Sequence, residues 1–247
     1  GGGIPILMPL HQSLAANQIE SIVGILNGTT NYILSQMTET GVNYANALAD
    51  AQKQGFAEAD PTNDVCGFDA ARKLAILSSI GFRANVTFDD VLVEGIEKID
   101  KSDIQYAKDM GYTIKLLTVA LRQENGIALN VYPAFLPDNH PLSSVKGAYN
   151  AIYVTGNIVD DVMFYGRGAG ALPTASAVMG DVISTAQHIL NGSTGTGMIM
   201  TDTKRIPFYS SLKLQNSYYF RLDVDDVTGV LSQIAAAFAE NDISICE

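Results

Sequence analysis

The run from Gly55 to Lys73, GFAEADPTNDVCGFDAARK, constrains the local structure of the chain more than any other stretch. Pro61 removes a backbone donor and disfavours helix at Asp60 before it, so loop must give way to helix there. A helix over about Asn63 to Ile80, rich in Ala and Leu, follows. Glu58 and Asp60 stand in the loop, Asp64 and Asp69 in the helix, and no basic residue lies between Gly55 and Ala71. Asp69 and Lys73, at i and i+4, share one helix face. Asp64 and Asp69, at i and i+5, diverge in angle on a continuous helix.

Acids left unneutralised by their neighbours suit a cationic ligand. A lysine held by an aspartate and facing a cleft can donate or accept a proton, while the surrounding carboxylates grip an ammonium group. The other reading is a solvated amphipathic helix with one ordinary ion pair, worth about 0.3–0.5 kcal/mol. The apolar neighbours Val65, Phe68, Ala70, Leu74, Ile76 and Leu77 favour a partly enclosed site. Cys66 reads as a small apolar residue beside that site rather than a nucleophile.

Other segments fill out an α+β pattern, a mixed or antiparallel sheet covered on one side by helices. Ile19 to Leu26 reads as a strand. Asn27-Gly28 turns the chain, and Thr29 or Thr30 caps a helix over about Asn31 to Glu39. Tyr44 to Gln54 is a second helix stopped by Gly55. Val91 to Ile96 is a short strand or turn, and Ser102 caps a helix to Asp109. Lys115–Arg122 and Gly126–Pro133 form a hairpin around Gln123-Glu124-Asn125-Gly126. Ala148–Val154 and Asp160–Tyr165 pair around Thr155-Gly156-Asn157, and a helix runs from Gly170 to about Leu190. Domain boundaries are expected at residues 1–200, with a linker over 201–217. Residues 218–247 then read as strand, helix and strand: Tyr218 to Val224, Gly229 to Glu240, and Ile243 to Cys246. The opening Gly1 without methionine, and the stop at Glu247 as a strand forms, read as part of a longer chain.

Composition excludes several classes. The 247 residues are 47% hydrophobic, enough for a proper core, and carry a formal net charge of -11, which opposes binding to nucleic acid or to anionic membrane surfaces. Two cysteines, Cys66 and Cys246, make no disulfide framework, and His11, His140 and His188 have no zinc-ligand spacing. No apolar run approaches the roughly 20 residues that span a bilayer. A cytoplasmic protein is expected.

Four ordered motifs now carry a resemblance. The Gly55–Lys73 run resembles the substrate-binding signature of homoserine dehydrogenases, roughly G-[YF]-x-E-x-D-P-x-x-D-x-x-G-x-D-x-x-x-K. Gly24-Ile25-Leu26-Asn27-Gly28-Thr29-Thr30-Asn31-Tyr32-Ile33-Leu34 is similar to that family's G-I-x-N-G-T-x-N-Y-I-L. The third and fourth are GRGAGALPTASAV, from Gly166 to Val178, and the opening GGGIPI. By itself the glycine run Gly166–Ala171 is a weak dinucleotide signal and reads more readily as a tight strand-to-helix turn. Asp226-Val227-Thr228-Gly229-Val230-Leu231 resembles the D-x-P-G-V-L turn of ACT domains, with Thr228 in place of proline.

The resemblance implies roles residue by residue. Lys73 is the expected proton donor and Asp69 its partner at the substrate. Glu58 and Asp64 are the acids near the substrate's amino and hydroxyl ends, and Gly28 and Thr29 contact it as well. Gly55 and Gly170 approach the nicotinamide cofactor, NAD or NADP, with NADP slightly favoured. The main-chain carbonyls of Gly2 and Ile4 belong to a monovalent-cation site, such as one for sodium, whose other ligands would precede Gly1. Phe56 stands where some members have tyrosine. The chain is then expected to be a catalytic half without most of the family's N-terminal nucleotide-binding domain. A homodimer or homotetramer formed through the sheet is expected, with threonine as the plausible effector at the ACT module. The competing reading is a non-catalytic regulatory protein whose acids only sense an amino acid.

Overall fold

The computed structural model describes residues 2–193, 206–209, 214 and 216–245, so Cys246 and most of the expected linker lie outside it. The chain divides into two units, Gly1–Gln215 and Asn216–Glu247.

The first unit is built on a six-stranded mixed sheet of order β2-β4-β3-β1-β5-β6. Its strands are β1 Ile19–Ile25, β2 Leu92–Val93, β3 Tyr112–Gln123, β4 Gly126–Pro137, β5 Tyr149–Gly156 and β6 Asp160–Arg167. Both expected hairpins form. β3 and β4 pair from Tyr112↔Pro137 to Gln123↔Gly126, and β5 and β6 from Tyr149↔Arg167 to Gly156↔Asp160. The second turn falls at residues 157–159, because the ladder continues through Gly156.

Helices cover one face: α1 Gly28–Thr40, α2 Tyr44–Lys53, α3 Thr62–Val65, α4 Phe68–Phe82 and α5 Lys101–Asp109. Ile22, Leu116, Ala120, Ile152 and Val154 of the sheet meet Ile33, Leu34, Leu74 and Leu77 of the helices in the larger core. On the other face Ile25, Leu117, Val119 and Ala151 pack with Leu142 and Val145, which follow β4 in a short turn. Val23, Leu121, Tyr132, Tyr153 and Met163 of that face are only partly buried. The last helix of the unit, α6 Ala171–Leu190, has no buried residue.

Three local expectations are corrected. The helix placed over Asn63 to Ile80 is two helices. Gly67 between them adopts a left-handed φ of 81°, and a Cβ there would stand 3.1 Å from Val93 and 3.2 Å from Val131, so this close left-handed corner suits glycine. α1 is capped by Asn27, whose side chain accepts from the Thr30 N–H, not by either threonine. α5 is capped by Asp100 rather than Ser102, and Asp103 completes the capping box.

In the second unit α7, Val230–Glu240, forms as expected, and Phe220 packs on Phe238 with ring centroids 5.4 Å apart. The segments expected as strands, from Tyr218 to Val224 and from Ile243, make no ladder among the described residues. An extended segment becomes a strand only where a partner's backbone groups form a ladder with it.

Candidate active site

The chain leaves the central strand β1 at Ile25 and enters α1 at Gly28, so residues 26 and 27 lie at a strand-to-helix corner. Asn27 is 5% exposed and works with both ends of its side-chain amide. Its oxygen caps α1, accepting from the Thr30 N–H at 2.9 Å. Its nitrogen donates to Asp64 Oδ1 at 2.7 Å and to Asp69 Oδ2 at 3.0 Å. The two carboxylates expected to diverge therefore converge, because the Gly67 corner turns α3 relative to α4. An amide with two hydrogens is a neutral bridge between two like charges that would otherwise repel.

Lys73 completes the arrangement from the next turn of α4. Its Nζ lies 2.6 Å from Asp69 Oδ2 and donates to the Leu26 carbonyl at 3.1 Å. Asp69 is thus held by a cation and an amide, and Lys73 by a carboxylate and a main-chain oxygen. The lysine side chain nevertheless keeps 47% of its surface open. It is tethered at the corner where α1 begins and still accessible to a ligand, unlike the ordinary ion pair of a solvated amphipathic helix.

Other expected residues border this corner with different degrees of order. Thr29 is buried, and its hydroxyl donates to the Phe56 carbonyl at 2.7 Å, so its hydrogen holds the 55–57 loop. Phe56 also packs on Tyr32, centroids 4.6 Å apart. The Tyr32 hydroxyl donates to Asp50 Oδ2 at 2.5 Å, and that bond, with burial second, pushes it up to about 12. Glu58 is exposed. Its main-chain carbonyl accepts from Gln52 Nε2 at 3.1 Å, and no hydrogen bond or ion pair reaches its carboxylate among the described residues. Gly55 is left-handed (φ 76°) with nothing within 4 Å of where a Cβ would be, which leaves its backbone open to a ligand.

The glycine run after β6 meets the start of the chain. A Cβ on Gly2 would lie 2.2 Å from the Gly168 carbonyl oxygen, and one on Gly3 2.4 Å from that of Arg167. Asn150 links this turn to α1: a Cβ on Gly168 would stand 2.6 Å from its amide, and one on Gly28 3.3 Å from its Oδ1. Gly170 precedes α6 with φ 122° and supplies no side-chain cap, so the first N–H groups of that helix point outward unclaimed by a cap. The Ile4 carbonyl accepts from the Ile6 N–H at 3.0 Å. Among the described residues no group of His, Cys, Asp and Glu is placed to hold a metal ion, and no helix is long and apolar enough to cross a membrane.

Cys66 is half-buried at the edge of the core. Its thiol donates to Glu97 Oε2 at 3.0 Å, and that bond, with partial burial, pushes it up to about 11, far from a thiolate. His188 lies exposed on α6. Sequence reasoning missed Asn27, the hub of the site, although an Asn before Gly at a predicted helix start is a cap signal in its own right. It also missed Asn150 and Asn31, buried asparagines on either side of that corner.

The profile of the homoserine dehydrogenase family matches residues 5–183. The homoserine dehydrogenase of Corynebacterium glutamicum is 45% identical over 249 residues, an alignment covering 99% of this chain and 56% of that protein. The crystal structure of a homoserine dehydrogenase from Thiobacillus denitrificans superposes with a TM-score of 0.91 at 39% identity, over 100% of this chain and 58% of that one. A hyperthermophilic archaeal homoserine dehydrogenase mutant in complex with NADPH matches with a TM-score of 0.64 at 27% identity, over 75% of this chain and 53% of that one. The chain thus spans little more than half the length of the relatives it matches.

Proposed function

This chain belongs to the homoserine dehydrogenase family, and on that premise we propose that it forms the substrate-binding and proton-transferring part of an oxidoreductase that interconverts L-homoserine and L-aspartate 4-semialdehyde with NAD or NADP. The observation that carries this reading is the tethered Lys73 ammonium, paired with Asp69, bonded to the Leu26 carbonyl and still open on one side.

The roles follow from what each group can do. In the reducing direction Lys73 polarises the aldehyde oxygen and gives it a proton; in the oxidising direction its neutral amine takes the proton from the hydroxyl. Asp69 holds the lysine in place and contacts substrate. Glu58 and Asp64 receive the ammonium of the α-amino acid, Glu58 being the acid whose carboxylate is unengaged. Gly28 and Thr29 form the floor beside them. The nicotinamide cofactor, when bound, supplies the hydride chemistry at the substrate's terminal carbon. Gly55 and Gly170 would hold it, Gly55 with open space where a side chain would stand and Gly170 with only Pro173 beside it, and NADP is slightly favoured. Gly2 and Ile4 offer main-chain carbonyls to a monovalent cation such as sodium.

The same reading assigns residues 1–200 to the catalytic and dimerisation domain. It makes 201–217 a linker and 218–247 the first half of a threonine-responsive ACT module, in a cytoplasmic homodimer or homotetramer of an enzyme of threonine and methionine biosynthesis. The half-open sheet face around Tyr132, Tyr153 and Met163 suits self-association. The test uses protein of the relatives' full length. Homoserine with NAD or NADP is expected to give the near-ultraviolet absorbance rise of a reduced nicotinamide. Homoserine binding without that rise, with either nucleotide, would move the chain to the regulatory class.

A further inference from the structure

Lys115 lies in β3 of the first unit and takes no part in the chemistry above. It is 2% exposed, among the largest fully buried side chains. Its Nζ donates to the Val145 carbonyl at 2.6 Å and to Asn31 Oδ1 at 3.0 Å. Both acceptors are neutral oxygens. The charged groups that face it are Glu39 of α1 and Lys146 of the loop before β5, and these pair with one another at 3.0 Å. Burying an ammonium is expensive unless its hydrogens are well used, so the question is what this one organises.

Its two partners converge on one segment. Asn31 Nδ2 faces the carbonyls of Val145 (3.1 Å), Gly147 (2.9 Å) and Tyr149 (3.0 Å). Ser35 Oγ accepts from the Gly147 N–H at 3.1 Å. Lys115, Asn31 and Ser35 thus hold residues 145–149 through the backbone alone. The same segment continues into the site: a Cβ on Gly28 would meet the Ala148 carbonyl at 2.9 Å, and Asn150 lies against both Gly28 and Gly168. Gly28 is expected at the substrate, and Gly168 in the turn leading to the cofactor.

Resting on the proposed function, we propose that Lys115 is a positioning residue, whose buried ammonium fixes the 145–150 segment so that its backbone and Asn150 set the spacing between the substrate-side start of α1 and the glycine turn after β6. Lys115 touches neither substrate nor cofactor and acts through Val145 and Asn31. Methionine keeps most of the buried length and removes every donor, so Lys115→Met releases the segment without emptying the core.

The experiment measures kcat and KM for homoserine in full-length protein, wild type and Lys115→Met, well below the melting temperature of each. Misplacement of bound groups by about 1 Å can cost about 100-fold, and here the expected result is KM raised about tenfold or more with kcat within about threefold. Asn31→Ser is expected to do the same, and the double variant to lose no more than the worse single one, as two parts of one device. A folded Lys115→Met protein with both constants at wild-type values overturns the proposal, as does a loss confined to melting temperature. If Lys115→Met does not fold, Ser35→Ala decides, since it frees the Gly147 N–H from the same segment; an unchanged KM there is equally fatal. Wild-type protein that does not turn over homoserine at all removes the underlying reading, and this one with it.

Discussion

The two lysines beside α1 solve opposite problems. Lys73 keeps 47% of its side-chain surface open and has a carboxylate at 2.6 Å. Lys115 is 2% exposed and meets only neutral oxygens at hydrogen-bond distance. A cation that exchanges a proton with substrate must be reachable, and an adjacent carboxylate keeps it oriented. A cation that organises backbone gains from being dry, because its hydrogen bonds strengthen as the local dielectric falls. On the proposed function, exposure and partner type therefore separate chemistry from architecture among residues of one kind, here within a single sheet and its helices.

The largest effect expected from this contrast is at Lys73. Lys73→Ala in full-length protein is expected to lower kcat by about 100-fold or more, the range for loss of a positioned general acid or base, while melting temperature changes little because the pair is half-open. Wild-type turnover in that variant would place the reactive group elsewhere. Asn27→Ser comes next. Serine caps a helix about as well as asparagine, so stability is expected to fall by less than about 1 kcal/mol. It lacks the amide hydrogens that bridge Asp64 and Asp69, and a rise of about tenfold in KM for homoserine is expected as the carboxylates separate. An unchanged KM would make Asn27 a cap and nothing more.

Lys115 gives the contrast a pH signature. Burial, the dominant cause, lowers it from 10.5 to about 8. A base whose folded value is depressed holds fewer protons in the native state than in the unfolded state between the two values, so stability rises with pH across that window. Cys66, raised to about 11, and Tyr32, raised to about 12, act in the other direction once their unfolded forms ionise, above about pH 9 and 10. The gain is therefore cleanest between about pH 8 and 9, read as the denaturation midpoint of wild type minus that of Lys115→Met. A difference that is flat or falls over that interval would mean that the ammonium is not desolvated.

Much of this was legible in the sequence, for identifiable reasons. The hairpins announced themselves through Asn125-Gly126 and Gly156-Asn157, and the Asp69–Lys73 pair through helical spacing. Local spacing did not show that the helix carrying them breaks at Gly67, where the room for a side chain is limited by Val93 and Val131, distant in sequence. That break reverses the expectation for Asp64, turning a diverging acid into one that shares Asn27 with Asp69. Lys115 was unreadable for a similar reason. In YTIKLLTVAL it stands among apolar residues and threonines with nothing local to mark its role, and its acceptors on α1 and before β5 come from Asn31 and Val145, far away along the chain.

The smallest expected effect tests the boundary between the two environments. Lys146 and Glu39 form an ion pair at 3.0 Å directly outside Lys115, with side chains 68% and 44% exposed. Pairs so open are worth about 0–1 kcal/mol and weaken with salt, so Lys146→Ala is expected to cost no more than about 0.5 kcal/mol at moderate ionic strength. Its second consequence is more telling. Lys146 repels the Lys115 ammonium and Glu39 attracts it, so removing Lys146 leaves the acid unopposed and draws Lys115 back toward its ordinary value. The stability rise with pH should then begin later than in wild type and be smaller, without change in its sign. A cost well above 2 kcal/mol, or a rise that starts at lower pH, would mean that the outer pair holds the 145–150 segment and that Lys115 only follows it.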